Sequence, residues 1–251
     1  MITYEYPFNE RIRTYLRLEH LFRRLVELTS RETALDHHHA LTTLFEIMDV
    51  SARSDLKSEV LRDLEKEKQV FSAYRGNPNV AQDVLDEVLQ QLEACFSTLN
   101  QLPGKIGQPL ASNDWLMSIR SRVGIPGGTC AFDLPAYFAW QNEAPDKRRA
   151  DLTQWATSLL PLVDAVQLLL KLLRDSGLPQ RVLASEGLYQ QNLPQGRSFQ
   201  LLRLTLDPQL RLVPEISANR LLVSIRFMQQ DTEGRPGAST DNVTFDLTLC
   251  S

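Results

Sequence analysis

Cysteine is scarce in this sequence, and its scarcity argues against a disulfide scaffold. The 251 residues include only Cys95, Cys130 and Cys250, which are far apart and form no CxxC pair. An odd number of widely spaced cysteines is typical of reduced thiols in a reducing compartment. We therefore expect free thiols, no structural metal and no cofactor.

Long apolar runs and a leader pattern are also lacking. The opening residues, MITYEYPFNER, carry neither a charged n-region nor an apolar h-region. The longest apolar run, at 168–173, is interrupted by Lys171 and is too short to span a bilayer. We expect a cytoplasmic protein without membrane insertion.

Neither sign of charge is in large excess. Lys and Arg number 27 against 31 Asp and Glu, so the net charge is −4. This balance gives no global attraction to nucleic acid or to anionic lipid. Any electrostatic site must therefore be a local cluster.

Two hydrophobic periods divide the chain. Residues 2–8 alternate in polarity, as strands do, and so do three segments after Pro179. These segments are 202–206, 221–227 and 243–249. Between them, apolar residues recur at the three- and four-residue steps of helices. An α+β fold is predicted, with a mainly antiparallel helical domain at 9–177 and a small antiparallel β-sheet domain formed by 1–8 and 178–251. Strand 2–8 should pair into the C-terminal sheet, because alone it would leave backbone donors unmatched.

Several residues are predicted to begin or bend the helices. Asn9 and Asp36 are expected to cap the first two helices, and Ser54 with Asp55 to begin the third. The longest helix should start at Asp146 and be kinked by Pro161, which lacks a backbone donor.

The run His37-His38-His39 does not predict a metal site. Adjacent helical residues point about 100° apart and cannot converge on one ion. His20 is the only other histidine, so a triad or His-built metal centre lacks parts. We expect these histidines to form a solvated first turn.

The loop at 125–135, IPGGTCAFDLP, resembles a phosphate loop only superficially. No Lys follows its glycines, and it does not lie between a strand and a helix. A tight turn that needs positive φ is the favoured interpretation. A cysteine-dependent enzyme built on Cys130 stays open as a weaker alternative, although no basic partner is indicated.

A basic stripe on the first predicted helix is the most informative feature. Arg13, Arg17, His20 and Arg24 follow steps of four, three and four, which places them on one helix face. Further cations that could join them in space are Arg120, Arg122, Arg220 and Arg226. Such a cluster would suit an acidic peptide, whereas the alternative is an ordinary solvated face.

Three segments resemble the bacterial Z-ring-associated protein D (ZapD) family of cell-division proteins. They are 6–19 (YPFNERIRTYLRLE), 125–135 and 225–233 (IRFMQQDTE), in matching order and separation. The similarity extends to 187–192 (GLYQQN) and 245–247 (FDL), and so over essentially the whole chain.

The resemblance implies a non-enzymatic homodimer at the midcell division site, with a helical and a β domain. Such a protein binds the C-terminal tail of the tubulin-like GTPase FtsZ and cross-links or bundles its filaments in the Z-ring. The family's basic tail site is matched by Arg13 and Arg17. Looser matches are Arg53, Arg120, Arg122 and Arg226.

A nucleic-acid-binding protein that uses the same basic stripe is the alternative function. It has less support, because exposed aromatic residues do not alternate with the arginines and the net charge is not positive. The sequence therefore favours a protein partner over nucleic acid.

Overall fold

The computed structural model describes residues 1–52, 55–230 and 234–251. Helices and two small antiparallel sheets give an α+β fold, which confirms the predicted class.

The chain folds into two compact units. The β unit comprises Met1–Tyr15 and Leu170–Ser251, and the helical unit comprises Leu16–Leu169. Independent domains at 9–177 and at 1–8 with 178–251 stay a prediction.

The helices of the described residues are mostly connected by short loops. In chain order they are α1 (Glu10–Ser30), α2 (Ala34–Ser51), α3 (Leu56–Ser72), α4 (Gln82–Gln101), α5 (Gln108–Ala111), α6 (Asp114–Val123), α7 (Pro135–Gln141), α8 (Pro145–Ala156) and α9 (Leu160–Asp175).

Helix α1 begins where the sequence predicts. The Asn9 side-chain oxygen accepts a hydrogen bond from the Ile12 backbone N–H at 2.9 Å, which satisfies one free donor of the first turn. Apolar residues at helical spacing bury one face of α1. The buried residues are Ile12, Tyr15, Leu18, Leu21, Phe22 and Leu25. The opposite face is thereby left to the basic stripe.

The cap of α2 differs from the prediction. Thr33, not Asp36, is the N-cap, and its hydroxyl oxygen accepts from the Asp36 backbone N–H at 3.0 Å. The Asp36 carboxylate accepts from the Thr33 hydroxyl in return, at 2.6 Å. This reciprocal pair is a variant of the capping box, with Asp at the third helical position.

Helix α3 begins at Leu56, where Asp55 is the capping residue but makes no side-chain cap bond. Ser54, predicted to share this role, lies outside the described residues. Packing therefore does more than capping to hold α3, whose Val60 and Leu64 are fully buried.

The predicted long helix is two helices. A 3₁₀ turn at Thr157–Leu159 separates α8 from α9, and Pro161 lies in the first turn of α9. The predicted loss of a helical hydrogen bond at Pro161 is found here, because its ring excludes an α-helical bond to the carbonyl four residues earlier, at Thr157. The backbone keeps right-handed helical dihedrals at Thr157 and Leu160, and Pro161 occupies a first-turn position of α9 where no donor is needed.

Two four-stranded antiparallel sheets form the β unit. The strands are β1 (Ile2–Pro7), β2 (Gln180–Ala184), β3 (Leu188–Asn192), β4 (Leu201–Leu206), β5 (Leu212–Ala218), β6 (Leu222–Gln230), β7 (Pro236–Ala238) and β8 (Val243–Cys250). One sheet has the order β1-β4-β8-β2; the other has β3-β6-β5, and β7 also pairs with β6. The predicted pairing of the N-terminal strand is confirmed, with Ile2 opposite Leu206 and Pro7 opposite Leu201.

Alternate strand residues fill the core of the β unit, as the period of two requires. The buried set includes Leu202, Leu204, Leu206, Val223, Ile225, Phe227, Val243, Phe245 and Leu247. Tyr4, Tyr6 and Phe8 of the N-terminal segment pack against this cluster.

Candidate cationic binding surface

The basic stripe lies on the face of α1 opposite its buried residues. Arg17 and His20 are exposed, and Arg13 and Arg24 are half-buried. Because the opposite face is fixed in a core, the backbone that carries these side chains is rigid. Cationic groups one turn apart on a fixed helix can meet successive carboxylates of an extended peptide.

Two members of the stripe already have acidic partners. Arg13 Nε lies 3.1 Å from Glu10 Oε1 one turn earlier, in a pair at the surface in which the Arg13 side chain is 38% exposed and the Glu10 side chain 78% exposed. Arg24 bonds to Glu46 at 2.5 Å and to the Thr43 hydroxyl at 2.9 Å, both on α2. Arg17 forms no ion pair within the described part of the chain. The stripe therefore offers one unpaired guanidinium, at Arg17, and one weakly paired guanidinium, at Arg13.

Helix α6 carries two of the looser candidates at its C-terminal end. Arg120 pairs with Asp49 of α2, and this contact occupies its guanidinium. Arg122 is exposed and makes no ion pair with any described residue. Both arginines lie in the last turn, where the helix dipole favours positive charge.

The loop at 125–135, which contains Gly127 and Gly128, folds back on the end of α6. Gly127 has a φ of +71°, which confirms the predicted tight turn. A Cβ at Gly128 would lie 2.6 Å from the Arg122 carbonyl oxygen. The loop is thus a close-packed support for the basic end of α6, and glycine is required for that approach.

Arg226 belongs to the β unit, on the exposed side of β6. It lies opposite Leu188 of β3 and opposite Glu215 of β5 in the sheet register. No ion pair joins Arg226 to a described carboxylate. Arg53, the remaining candidate, lies outside the described residues.

Comparison with protein families decides the class of this chain. Residues 16–226 match the family described as ZapD: Cell division protein. The chain belongs to the ZapD family. It is thus a cell-division protein by family, and the predicted resemblance is confirmed at that level. The ZapD match includes Arg17 and the looser candidates, whereas Arg13 lies just before it.

His37 corrects one prediction about this ZapD-family chain. Its ring is fully buried, so the solvated first turn expected for the three histidines is wrong at this position. Nδ1 of His37 accepts from Arg148 Nε at 2.9 Å, and Nε2 lies 2.8 Å from the Arg31 carbonyl oxygen. The reason is a partner distant in sequence: Arg148 is itself buried and needs acceptors.

The other two histidines differ from His37 and from each other. His38 is half-buried, and its Nδ1 lies 2.7 Å from the Tyr137 hydroxyl, whereas His39 is exposed. Within the described ranges, no group of three His, Cys, Asp or Glu side chains could hold a metal ion.

The tryptophans form a cluster that sequence reasoning missed. Ring centroids of Trp115, Trp140 and Trp155 lie 5.3 to 5.9 Å apart, and Tyr137 stacks on Trp140. The residues come from α6, α7 and α8, and only the tertiary fold unites them. Aromatic pairs at these distances stabilise a core beyond their buried area.

One stretch, Pro145–Asp175, is long and apolar enough to cross a membrane by length and composition alone. Leu159, Leu162 and Val166 within it are buried in the protein. Its apolar side thus has a place in the core, as a core helix requires.

Proposed function

We propose that this protein is a non-enzymatic division adaptor that binds the acidic C-terminal tail of FtsZ through the basic stripe of α1. Arg17 carries the proposal: it is exposed, has no acidic partner among the described residues and lies one turn after Arg13 on a helix fixed by its buried face. Family membership supports a partner in the division machinery.

Arg13 can exchange its partner at little cost. An exposed pair at this helical spacing contributes about 0.3–0.5 kcal/mol. A carboxylate of the incoming tail can therefore replace Glu10 without a large penalty. Arg122 and Arg226, both exposed, are proposed as further contacts, whereas Arg120 would first have to leave Asp49.

A homodimer with one such surface per protomer would cross-link filaments at midcell in the cytoplasm. Once one tail is bound, attachment to the second is intramolecular, so avidity on a polymer can exceed either affinity by about 10²–10⁴. Exposed charge pairs of this kind weaken as salt screens them, so bundling should fall with ionic strength.

Co-sedimentation with FtsZ filaments tests the proposal. We expect Arg13→Glu combined with Arg17→Glu to leave the protein in the supernatant and to abolish bundling seen by light scattering. The matched control reverses two exposed charges on α3, Arg62→Glu and Lys66→Glu, and should pellet like the wild type.

Unchanged pelleting of the α1 variant would reject the assignment of these arginines. Equal pelleting with filaments that lack the C-terminal tail would reject the tail as the partner. A steep, salt-dependent gel shift with random duplex DNA would instead favour the nucleic-acid alternative.

A further inference from the structure

The β unit contains a cavity that the stripe does not use. Its volume is about 600 Å³, within the range of about 300–1,000 Å³ common for ligand sites. Two loops form most of its wall, 193–199 before β4 and 219–221 before β6, and Phe8 and Asn9 complete it.

The cavity has an apolar floor and an exposed apolar rim. Leu193 and Phe199 are buried beneath it, and Phe8 is half-buried. Leu221, by contrast, is 62% exposed at the rim. An aliphatic side chain of a ligand placed here would pack on Leu221, and both apolar surfaces would be removed from water.

Two arginines add positive charge. Arg197 lies 5.0 Å from the centre of the Phe199 ring and donates from Nη2 to the Ser251 hydroxyl at 3.3 Å. Arg220 projects from a turn that Asn219 fixes, since the Asn219 side-chain oxygen accepts from the backbone N–H groups of Leu221 and Leu222. Neither guanidinium forms an ion pair in the parts of the chain that the structure covers.

This combination selects the chemistry of the ligand. Guanidinium groups that line one cavity favour carboxylates or phosphates, and the apolar rim favours an aliphatic neighbour. A nucleotide base would need a free aromatic face, but the Phe199 ring is buried and lies beneath Arg197, and the Phe8 ring packs against the core cluster and Tyr6. An acidic peptide with an aliphatic side chain fits both features.

We propose that this cavity is a peptide subsite that takes one carboxylate on Arg197 and Arg220 and one aliphatic side chain against Leu221. Asn9 connects it to the stripe, because Asn9 lines the cavity and also caps α1. Arg13 follows one turn later, about 6 Å along the helix axis. That the peptide is the FtsZ tail rests on the function proposed above.

Fluorescence anisotropy with the full chain tests the subsite, using two labelled peptides: the FtsZ C-terminal tail and an unrelated peptide of alternating Glu and Leu. Arg197→Ala with Arg220→Ala should weaken tail binding by at least about tenfold, the usual loss for one charge-assisted contact. Arg62→Ala with Lys66→Ala on α3 removes the same net charge elsewhere and should bind like the wild type. Circular dichroism checks that each variant is folded.

Leu221→Ala tests the apolar half. It should weaken binding of the tail by several-fold, whereas Leu178→Ala, at a still more exposed leucine outside the cavity, should have no effect.

The outcomes separate the two proposals. If the Arg197 and Arg220 variant binds the tail with wild-type affinity and the Arg13 and Arg17 variant does not bind it, the subsite is overturned. The adaptor function then stays in place. A second outcome is that the tail does not bind the wild type, whereas the Glu-Leu peptide binds and requires Arg197 and Arg220. This result supports the subsite and rejects the FtsZ tail as the peptide that it binds. If neither peptide binds the wild type, both proposals fail.

Discussion

Acid should destabilise the helical unit through one buried histidine. The His37 ring can serve both of its contacts only in the neutral form, with the proton on Nε2 toward the Arg31 carbonyl and the lone pair on Nδ1 toward Arg148. A second proton on Nδ1 would face the Arg148 N–H group. Burial lowers the pKa of His37, and the charges of Arg148 and Arg149 lower it further, although the bond to Arg31 raises it.

The direction and size of the effect follow from proton linkage. Because the pKa is lower in the folded state than the ordinary 6.5, the contribution of His37 is complete above pH 6.5 and is lost as pH falls toward the folded pKa. The loss is at most about 1.4 kcal/mol per pH unit, or about 2 kcal/mol between pH 6.5 and pH 5. His38, whose pKa burial also lowers, adds to the same slope.

Urea unfolding monitored by tryptophan fluorescence measures the unfolding free energy at each pH, because the three tryptophans lie in the same unit as His37. His37→Gln keeps an acceptor for Arg148 but cannot titrate, so it should flatten the loss of unfolding free energy between pH 6.5 and pH 5. His39→Gln, at an exposed histidine, should behave as the wild type. His37→Phe should lower stability by about 3 kcal/mol above pH 6.5, because it leaves a buried guanidinium donor without an acceptor. Because Phe does not titrate, the difference from the wild type should shrink as pH falls toward 5.

An equal pH slope in His37→Gln and the wild type would refute the reasoning. It would mean that His37 has the same proton affinity in the folded and unfolded chains, despite its burial and its contact with Arg148.

Two further predictions concern stability. The Glu5 carboxylate accepts two hydrogen bonds of 2.8 Å from Arg174 and one of 3.1 Å from Arg203. Glu5→Gln should therefore lower the unfolding free energy of the β unit by about 2 kcal/mol, which amide exchange would detect as faster exchange in β1 and β4. Protection equal to the wild type would contradict it. Thr33→Ala removes the α2 cap and should cost the helical unit about 1 kcal/mol in urea unfolding, whereas Thr33→Ser should not; equal losses in both variants would show that the hydroxyl is not the cause.

Sequence periodicity was sufficient for the elements whose reasons are local. The cap at Asn9, the buried face of α1 and the alternating core of β6 and β8 depend on neighbours within a few residues. The α2 cap was also within reach, since Thr33 and Asp36 have the spacing of a capping box.

The errors arose where the deciding partner is distant in sequence. His37 is buried because of Arg148, and Arg120 is paired because of Asp49 on another helix. The sequence did not indicate Arg197, because its loop has no hydrophobic period. Its proposed role in binding depends on a cavity that three separate segments form. The spacing of residues could thus identify the arginines of α1, but it could not show which of the cations form ion pairs within the protein.

The pairing of β1 with β4 also constrains how this chain is made. Residues 2–7 are synthesised well before their partners at 201–206, with almost 200 residues between the two strands. At about 5–20 residues per second, the opening strand waits roughly 10–40 s for a neighbour. Until β4 emerges, the unpaired edges of β1 are open to pairing with other chains.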